Sequence, residues 1–158
     1  MVAKRILTTL MLNNGVLFRS KKFRPDYRYT LNFVDMWSID ELILLDISRN
    51  VSFDSEEKQL FFNEMKKISK NAYVPITVGG GIRKLEDIEK LFKNGADKVI
   101  LNSASIENIK LINLAAQEFG SQCVVVCIDA KYENEKYVLM ENYGQKKSSL
   151  DIIEYIKK

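Results

Sequence analysis

Five short apolar runs, each followed by a segment with helical periodicity, are the feature that most constrains the fold of this chain. The runs are continuous rather than alternating, which is typical of strands covered on both faces in a parallel sheet. The predicted strands are residues 5–12, 42–46, 72–78, 98–102 and 122–129. The predicted helices are residues 29–38, 56–70, 83–94, 107–119 and 148–158, the last capped by Ser148 or Ser149. The sequence therefore predicts an α/β fold of about five strand–helix units, with residues 1–158 forming one domain.

Turn signals separate these units. Residues 13–15, Asn-Asn-Gly, follow the first strand and predict a turn into a short hairpin arm over residues 16–23. Gly95 and Gly120 follow two of the helical segments and predict their C-terminal ends. A second hairpin is predicted as an insertion over residues 136–143.

The residues at the ends of the predicted strands are mostly polar or glycine. They are Met11, Asp46, residues 79–81, Asn102 and Asp129. In a (β/α) barrel the carboxyl ends of all strands meet at one rim, and that rim carries the active site. A doubly wound sheet is the rival architecture, and it would bind its ligand at one switch point instead.

The glycine triplet at residues 79–81 lies between a predicted strand and a helix that begins at Arg83. Glycines allow a ligand to approach the backbone closely, and a helix N-terminus offers unpaired amides and the positive end of a dipole. These two properties predict a phosphate cradle. A tight strand-to-helix turn without a ligand is the alternative reading.

Composition excludes several classes of protein. The chain is 46% hydrophobic and 28% charged, and its net charge of +3 comes from 24 basic and 21 acidic residues that are intermingled. These values are ordinary for a soluble globular protein and indicate no nucleic-acid or membrane surface. No apolar run reaches the roughly 20 residues of a membrane helix, and no signal peptide is recognisable. A cytoplasmic location is therefore expected.

The chain contains no histidine, which excludes Ser-His-Asp triads and histidine-based zinc sites. Cys123 and Cys127 lie four positions apart in an apolar run, a spacing that predicts neither a metal site nor a redox pair. We therefore expect no metal and no cofactor. Proton transfer would have to use a carboxylate, lysine, tyrosine or cysteine.

Eight short motifs occur in order along the whole chain. They are residues 3–6, 40–42, 45–47, 75–83 (Pro-Ile-Thr-Val-Gly-Gly-Gly-Ile-Arg), 95–99 (Gly-Ala-Asp-Lys-Val), 102–104, 119–122 and 128–131 (Ile-Asp-Ala-Lys). Together they resemble the cyclase subunit of imidazole glycerol phosphate synthase. The resemblance implies a (β/α)8 TIM barrel, which typically has about 250 residues. The chain is therefore expected to be a truncated barrel, and two open sheet edges would favour self-association or low stability.

The family passes ammonia from a glutaminase subunit through the barrel to a ribulosyl bisubstrate that is held by two phosphates. By resemblance, Gly81, Asn102 and Ser103 form the first phosphate site. Asp129 matches one of two catalytic aspartates, although a carboxylate that caps its own turn is the alternative. Met11 occupies the position of the other aspartate, and a thioether cannot exchange protons at neutral pH. The resemblance thus implies a loss of ordinary cyclase activity.

Charged residues at the strand starts resemble the gate through which ammonia enters the barrel. These are Arg5, Glu41 and Lys98, and Asp97 resembles a residue at the interface with the glutaminase, with which the family forms a heterodimer. A structural ring of ion pairs at the barrel base is the alternative. Neither a nucleic acid nor a membrane is expected as a partner.

A side branch of the family also lacks the first aspartate and carries the same hairpin arm. Its members resemble this chain, occur with surface-polysaccharide genes, and supply ammonia for amidation of a sugar. Arg19 replaces a lysine on the mobile first loop and is predicted to contact the phosphorylated or sugar substrate. The leading hypothesis is thus an ammonia-using synthase subunit for amidated sugars. The alternatives are a genuine cyclase (a lyase) of histidine biosynthesis and a non-catalytic scaffold that activates the glutaminase.

Overall fold

The computed structural model describes residues 4–21, 24–26, 38–142 and 144–157. Its main strands are β1 (Leu7–Asn13), β2 (Val16–Lys21), β3 (Arg24–Asp26), β4 (Glu41–Asp46), β5 (Ile76–Gly79), β6 (Lys98–Leu101) and β7 (Val124–Val126). They form one sheet in the order β3-β2-β1-β4-β5-β6-β7. Neighbours among β1, β4, β5, β6 and β7 are parallel, which confirms the five predicted strands.

The helices follow the parallel strands. They are α1 (Glu56–Asn71), α2 (Leu85–Lys93), α3 (Ser103–Glu107), α4 (Ile109–Phe119) and α5 (Ile152–Lys157). The helix predicted over residues 29–38 lies outside the described residues except for its last position. Among the helices that are described, none is both long and apolar enough to cross a membrane.

The main core lies between the sheet and the helices α1, α2 and α4. The helices contribute Phe61, Met65, Ile68, Ile88, Leu91, Leu111 and Ala115, and the strands contribute Leu12, Leu42, Leu44, Ile76, Val78, Val99 and Leu101. Burial of these apolar side chains is the main force that holds each helix against the sheet. The continuous apolar runs of the sequence thus supply the face of the sheet that the helices cover.

The opposite face of the sheet, here called the inner face, is defined by the strand register. Met11 pairs with Leu45, Leu45 with Gly79, Gly79 with Ile100, and Ile100 with Val125. Paired residues of neighbouring strands share a face, and side chains alternate along each strand. Residues an even number of positions away from this row therefore also lie on the inner face, among them Glu41, Thr77 and Lys98 toward the strand starts.

The hairpin arm is formed as predicted. Asn13 of β1 pairs with Val16 of β2, and the turn between them has Asn14 at φ 48° and Gly15 at φ 73°. Two successive left-handed residues make the two-residue turn that matches strand twist, and Asn-Gly is the preferred sequence for it. The prediction extended the arm to Phe23, which lies outside the described residues.

The last part of the chain differs from its predicted boundaries. β7 is shorter than the predicted strand over residues 122–129, although Cys127 N–H still donates to Leu101 O at 2.7 Å. Beyond it the backbone joins a second, antiparallel sheet of β8 (Ala130–Glu133), β9 (Lys136–Glu141) and β10 (Lys146–Lys147). Asp129 O accepts a hydrogen bond from Met140 N at 2.8 Å, so the insertion begins earlier than residue 136.

Two helix predictions are also wrong in detail. The helix predicted over residues 107–119 is broken at Asn108, whose φ of −147° and ψ of 83° separate α3 from α4. Asp151, rather than Ser148 or Ser149, caps α5, because its Oδ1 accepts from Ile153 N at 2.9 Å and Glu154 N at 3.1 Å. A carboxylate is favoured there by the helix dipole.

Candidate functional site

The strand starts on the inner face carry a cluster of charges around Glu41. Lys98 Nζ lies 2.7 Å from Glu41 Oε2, and Arg5 Nη1 lies 3.7 Å from the same oxygen. Thr77 Oγ1 donates to Glu41 Oε1 at 2.5 Å. The structure therefore brings together the three residues that were predicted for the gate, and it adds Thr77. We call these four residues the base cluster.

Glu41 is the acceptor that joins the base cluster. It is 5% exposed, and burial alone acts to raise its pKa. Hydrogen bonds from Lys98 and Thr77, with the charges of Lys98 and Arg5, outweigh burial and hold the pKa below its ordinary value. Glu41 is therefore ionised at neutral pH, and the cluster carries two cations on one anion.

Asp97 has a backbone partner of its own. Ile76 N donates to Asp97 Oδ2 at 2.8 Å, and Asp97 N donates to Ile76 O at 2.8 Å. Asp40 makes the same two bonds with Ile6, at 2.7 Å and 2.8 Å. Each aspartate thus clamps the start of its strand to the preceding strand. Asp97 is also exposed, which leaves its role at a partner interface as a prediction.

At the rim, Asn102 and Asp129 meet as the strand ends predict. Asn102 Nδ2 donates to Asp129 Oδ2 at 3.1 Å. Cys127, two residues before Asp129, lies on the inner face beside them. Burial first, and then the charge of Asp129, raise the pKa of the Cys127 thiol, while Asn102 acts in the opposite direction. The thiol is consequently neutral at physiological pH and is no nucleophile.

Sequence reasoning missed two residues that support this rim. Ser105 N and Ser105 Oγ donate to Asn102 O at 2.9 Å and 2.6 Å, and Ser105 is fully buried. Tyr155 of α5 donates its hydroxyl to Ser105 Oγ at 2.6 Å. Asn102 and the neighbouring Ser103 are thereby fixed from behind by a side chain of the last helix. No local sequence pattern indicated the role of Ser105, because its partner Tyr155 is 50 positions away.

The glycine triplet turns sharply at the end of β5. A Cβ on Gly79 would lie 2.2 Å from Ile100 Cγ2, and one on Gly80 would lie 2.0 Å from Asp46 O, so neither position accepts a side chain. Gly81 has φ +73°, but the nearest atom to its Cβ position would be Phe53 Cε2 at 3.7 Å. A side chain there would make only ordinary van der Waals contacts, and Gly81, where the phosphate was predicted, is exposed.

The two amides just before the helix that follows the triplet are engaged within the protein. Asp87 Oδ2 accepts from Arg83 N at 3.0 Å and from Lys84 N at 3.2 Å. Asp87 of α2 thus satisfies the two amides that precede the helix, as in a capping box. The helix begins at Leu85 rather than at the predicted Arg83, and a contribution of its first amides to a phosphate site stays a prediction.

A buried ion pair, which sequence reasoning also missed, lies behind the triplet. Lys58 Nζ donates to Asp46 Oδ2 at 2.7 Å and to Gly80 O at 3.1 Å. Lys58 is 2% exposed, and its Nζ lies 4.1 Å from the centre of the Phe53 ring. Burial lowers the pKa of Lys58, and the charge and hydrogen bond of Asp46 counteract it. Lys58 has helical spacing with Phe61, Met65 and Ile68, and this pattern in the sequence could have indicated that it is buried.

Asp46 cannot take over the role of the aspartate that Met11 replaces. Met11 pairs with Leu45, so Asp46 lies on the opposite, helix-covered face. Asp46 Oδ1 also accepts from Ser48 N at 3.0 Å, and both of its oxygens are therefore engaged. Phe18 of the arm pairs with Met11 from the other side. The rim near β1 is thus apolar, and Asp129 is the rim carboxylate found on the described part of the inner face.

Arg19 lies in β2, where its backbone pairs with Asp26 of β3. Its predicted contact with the substrate stays a prediction. No group of three or more carboxylates and cysteines with the geometry of a metal site is found among the described residues.

Comparison with known families agrees with this arrangement of strands and rim residues. Residues 8–158 match the family described as "Histidine biosynthesis protein". The chain belongs to this family. The predicted TIM-barrel class of fold and the resemblance to the cyclase subunit are thereby confirmed, and the five parallel strands with their helices form part of such a barrel.

Similar proteins are named "Imidazole glycerol phosphate synthase subunit HisF". The one from Natranaerobius thermophilus is 35% identical over 99% of this chain and 63% of its own length. The one from Exiguobacterium sp. is 36% identical over 99% of this chain and 62% of its own length. The one from Oceanobacillus iheyensis is 38% identical over 100% of this chain and 63% of its own length. The chain thus spans about 63% of the length of these relatives.

Proposed function

We propose that this protein is a cyclase-like synthase subunit that receives ammonia from a glutaminase partner and adds it to a phosphorylated or sugar substrate. One observation carries the proposal. The inner face has the base cluster at the strand starts and, at the rim, a turn whose backbone amides could bind an anion. Met11, however, occupies the position where ring closure would need a second rim carboxylate. Ammonia delivery and substrate holding are retained, whereas the chemistry is changed.

The base cluster supports the ammonia step. Its two cations and one anion lie where the parallel strands begin, at the end of the inner face opposite to the rim. Lys98 is only partly buried, so a small movement of its side chain would open the space beside Glu41. The exposed Asp97 next to it would contact the glutaminase. Stabilising the barrel base is the other role that such a cluster can have.

The rim supports an anion site made by Gly81 and Ser103, with Asn102 between them and Asp129. Gly81 is exposed and Asn102 is engaged by Asp129, so backbone amides are the natural donors for a phosphate. Asp129 would act as the acid or base. A single group of this kind is worth about 10²- to 10⁴-fold in rate, so the lack of a second one disfavours the two proton transfers of ring closure.

Amidation of a sugar needs fewer proton transfers at the rim than ring closure. When ammonia attacks an activated carbon, the C–N bond forms, the activating group leaves with the electron pair of its bond, and one base removes a proton from nitrogen, which Asp129 alone can do. We therefore place the protein with the branch of the family that serves surface polysaccharides. Its location in the cytoplasm stays a prediction from the sequence.

A genuine cyclase of histidine biosynthesis is the second candidate, because the similar proteins carry that name. The two candidates differ in one assay. The protein is combined with a glutaminase subunit of imidazole glycerol phosphate synthase, glutamine and the ribulosyl bisubstrate. We expect glutamine hydrolysis without conversion of the bisubstrate. Conversion that Asp129→Asn abolishes would overturn the leading candidate and support the second.

The same mixture, with an activated sugar acceptor in place of the bisubstrate, tests the scaffold alternative. We expect Lys98→Ala to reduce transfer of ammonia to the sugar acceptor, and Asp129→Asn to abolish that transfer while glutamine hydrolysis continues. If Asp129→Asn leaves the output unchanged and Lys98→Ala removes the stimulation of glutamine hydrolysis, the protein acts only as an activator. Lys90→Ala, which removes an exposed cation far from the inner face, is the matched control.

A further inference from the structure

Lys58 lies directly behind the turn that the proposed function assigns to a phosphate. Its ammonium is 4.0 Å from the Cβ position of Gly81 and has three aromatic rings around it, those of Phe53, Phe61 and Phe62. A lysine on a helix normally extends into water, and burying its charge is costly unless it is paired and hydrogen-bonded. The arrangement therefore fixes the ammonium at one place.

The hydrogen bond from Lys58 to Gly80 O acts on the peptide unit that joins Gly80 to Gly81. No cis peptide bond occurs among the described residues, so this unit is trans. In a trans peptide the C=O and N–H groups point to opposite sides. Because Gly80 O is held toward the buried ammonium, the N–H of Gly81 is directed away from it, toward the open side of the turn.

The ammonium also changes the strength of that donor. A cation at a carbonyl oxygen draws electron density from the amide nitrogen, and hydrogen bonds in series polarise one another in this way. Gly81 N–H has no backbone acceptor within the described part of the chain. A strong, outward-facing N–H without an acceptor, on an exposed residue, is what an anionic oxygen requires.

We propose that Lys58, held by Asp46, is a positioning residue that orients and polarises the Gly80–Gly81 peptide for a phosphate group of the substrate. Lys58 is too deeply buried to touch the ligand itself. The inference rests on the proposed function, since it assumes that an anion binds at Gly81. It adds a residue outside the rim, and a physical reason why the Gly81 amide would be a strong donor.

Inorganic phosphate titrated into the ¹⁵N-labelled full chain tests the inference. The informative variant is the pair Asp46→Asn with Lys58→Met, which removes one charge of each sign and leaves no buried ion without a partner. Its control is Asp54→Asn with Lys90→Met, which removes an exposed pair. Net charge is the same in all three proteins, so long-range attraction of phosphate does not differ among them.

We expect wild type and control to bind phosphate equally, and the Asp46/Lys58 variant to bind about tenfold more weakly, as for a lost charge-assisted hydrogen bond. The Gly81 amide signal of wild type is expected to move downfield on binding. Equal affinity in all three proteins, or a Gly81 signal that phosphate leaves unchanged, overturns the inference alone. If wild type binds no phosphate, the phosphate site of the proposed function falls together with it.

Discussion

The two ends of strand β4 carry buried carboxylates whose surroundings differ. Glu41 begins the strand on the inner face and is shared by Lys98, Arg5 and Thr77. Asp46 ends the strand on the helix-covered face and is held by Lys58. Five positions separate them, an odd number, and the alternation of a strand therefore turns them to opposite faces. Position along a strand alone does not tell which acid serves the site and which serves the fold.

The difference also bears on chemistry. Glu41 shares a face with Met11 and Asp129, and it lies at the strand-start end of that face. Asp46 is nearer to the rim in sequence, but both of its oxygens are engaged behind the sheet. A count of acids at strand ends would have offered Asp46 as a replacement for the missing aspartate. The register excludes it.

Breaking the ion pair at the Asp46 end of β4 is expected to cause the largest loss of stability. Lys58→Met leaves the Asp46 carboxylate buried and unpaired, and we expect the free energy of unfolding to fall by about 3–5 kcal/mol. Adding Asp46→Asn removes the stranded charge, so the double variant recovers most of this loss. Urea denaturation of the three proteins measures both effects. A loss below about 1 kcal/mol in the single variant would mean that water reaches the pair.

Removing one cation at the Glu41 end of β4 is expected to cause a smaller loss of stability. Lys98 is 24% exposed at its side chain, and Arg5 and Thr77 remain when it is removed. We expect Lys98→Met to cost about 2 kcal/mol in the same experiment, between the values for exposed and buried pairs. A cost equal to that of Lys58→Met would remove the distinction between the two ends of the strand.

The pH dependence distinguishes the ends further. The pKa of Glu41 is lowered in the folded protein, so the unfolded chain binds the proton more tightly. The stability from Glu41 is therefore complete above its unfolded pKa, near 4.5, and is lost as pH falls below it. Glu41→Gln is expected to flatten the fall in unfolding free energy between pH 5 and about pH 3. An unchanged pH profile would contradict the ionised state of the cluster.

Thr77→Val predicts the smallest effect. The two side chains have nearly the same shape, so the substitution removes the hydroxyl that donates to Glu41 and little else. We expect a loss of about 1 kcal/mol in unfolding free energy, together with a higher pKa of Glu41. NMR titration of the Glu41 carboxyl carbon checks the second point. A pKa that stays the same would show that Lys98 and Arg5 alone hold the charge.

The sequence predicted the parts of this fold that depend on local pattern. Continuous apolar runs predicted the parallel strands, and Asn14 with Gly15 predicted the turn of the arm. Element boundaries were less predictable, since the ends of β7 and the break at Asn108 depend on contacts with the second sheet and with α4. Asp151 was missed as a cap because two serines precede it.

The candidate site was predictable where residues resemble the family, and less so elsewhere. Arg5, Glu41 and Lys98 were predicted together and lie together. Lys58 was missed, although a lysine on the apolar stripe of α1 needs an anion, and Asp46 precedes that helix. The role of Asp46 required the strand register, which depends on pairing between distant segments rather than on local sequence.

One measurement tests most directly whether the chemistry at the rim has changed because Met11 stands in place of a carboxylate. Wild type and Met11→Asp are assayed with ammonium salt and the ribulosyl bisubstrate, with Thr9→Asp on the same face as the control. We predict no conversion by wild type or by Thr9→Asp, and measurable conversion by Met11→Asp, because a second carboxylate then faces Asp129. Conversion by wild type that Met11→Asp does not increase would contradict this account.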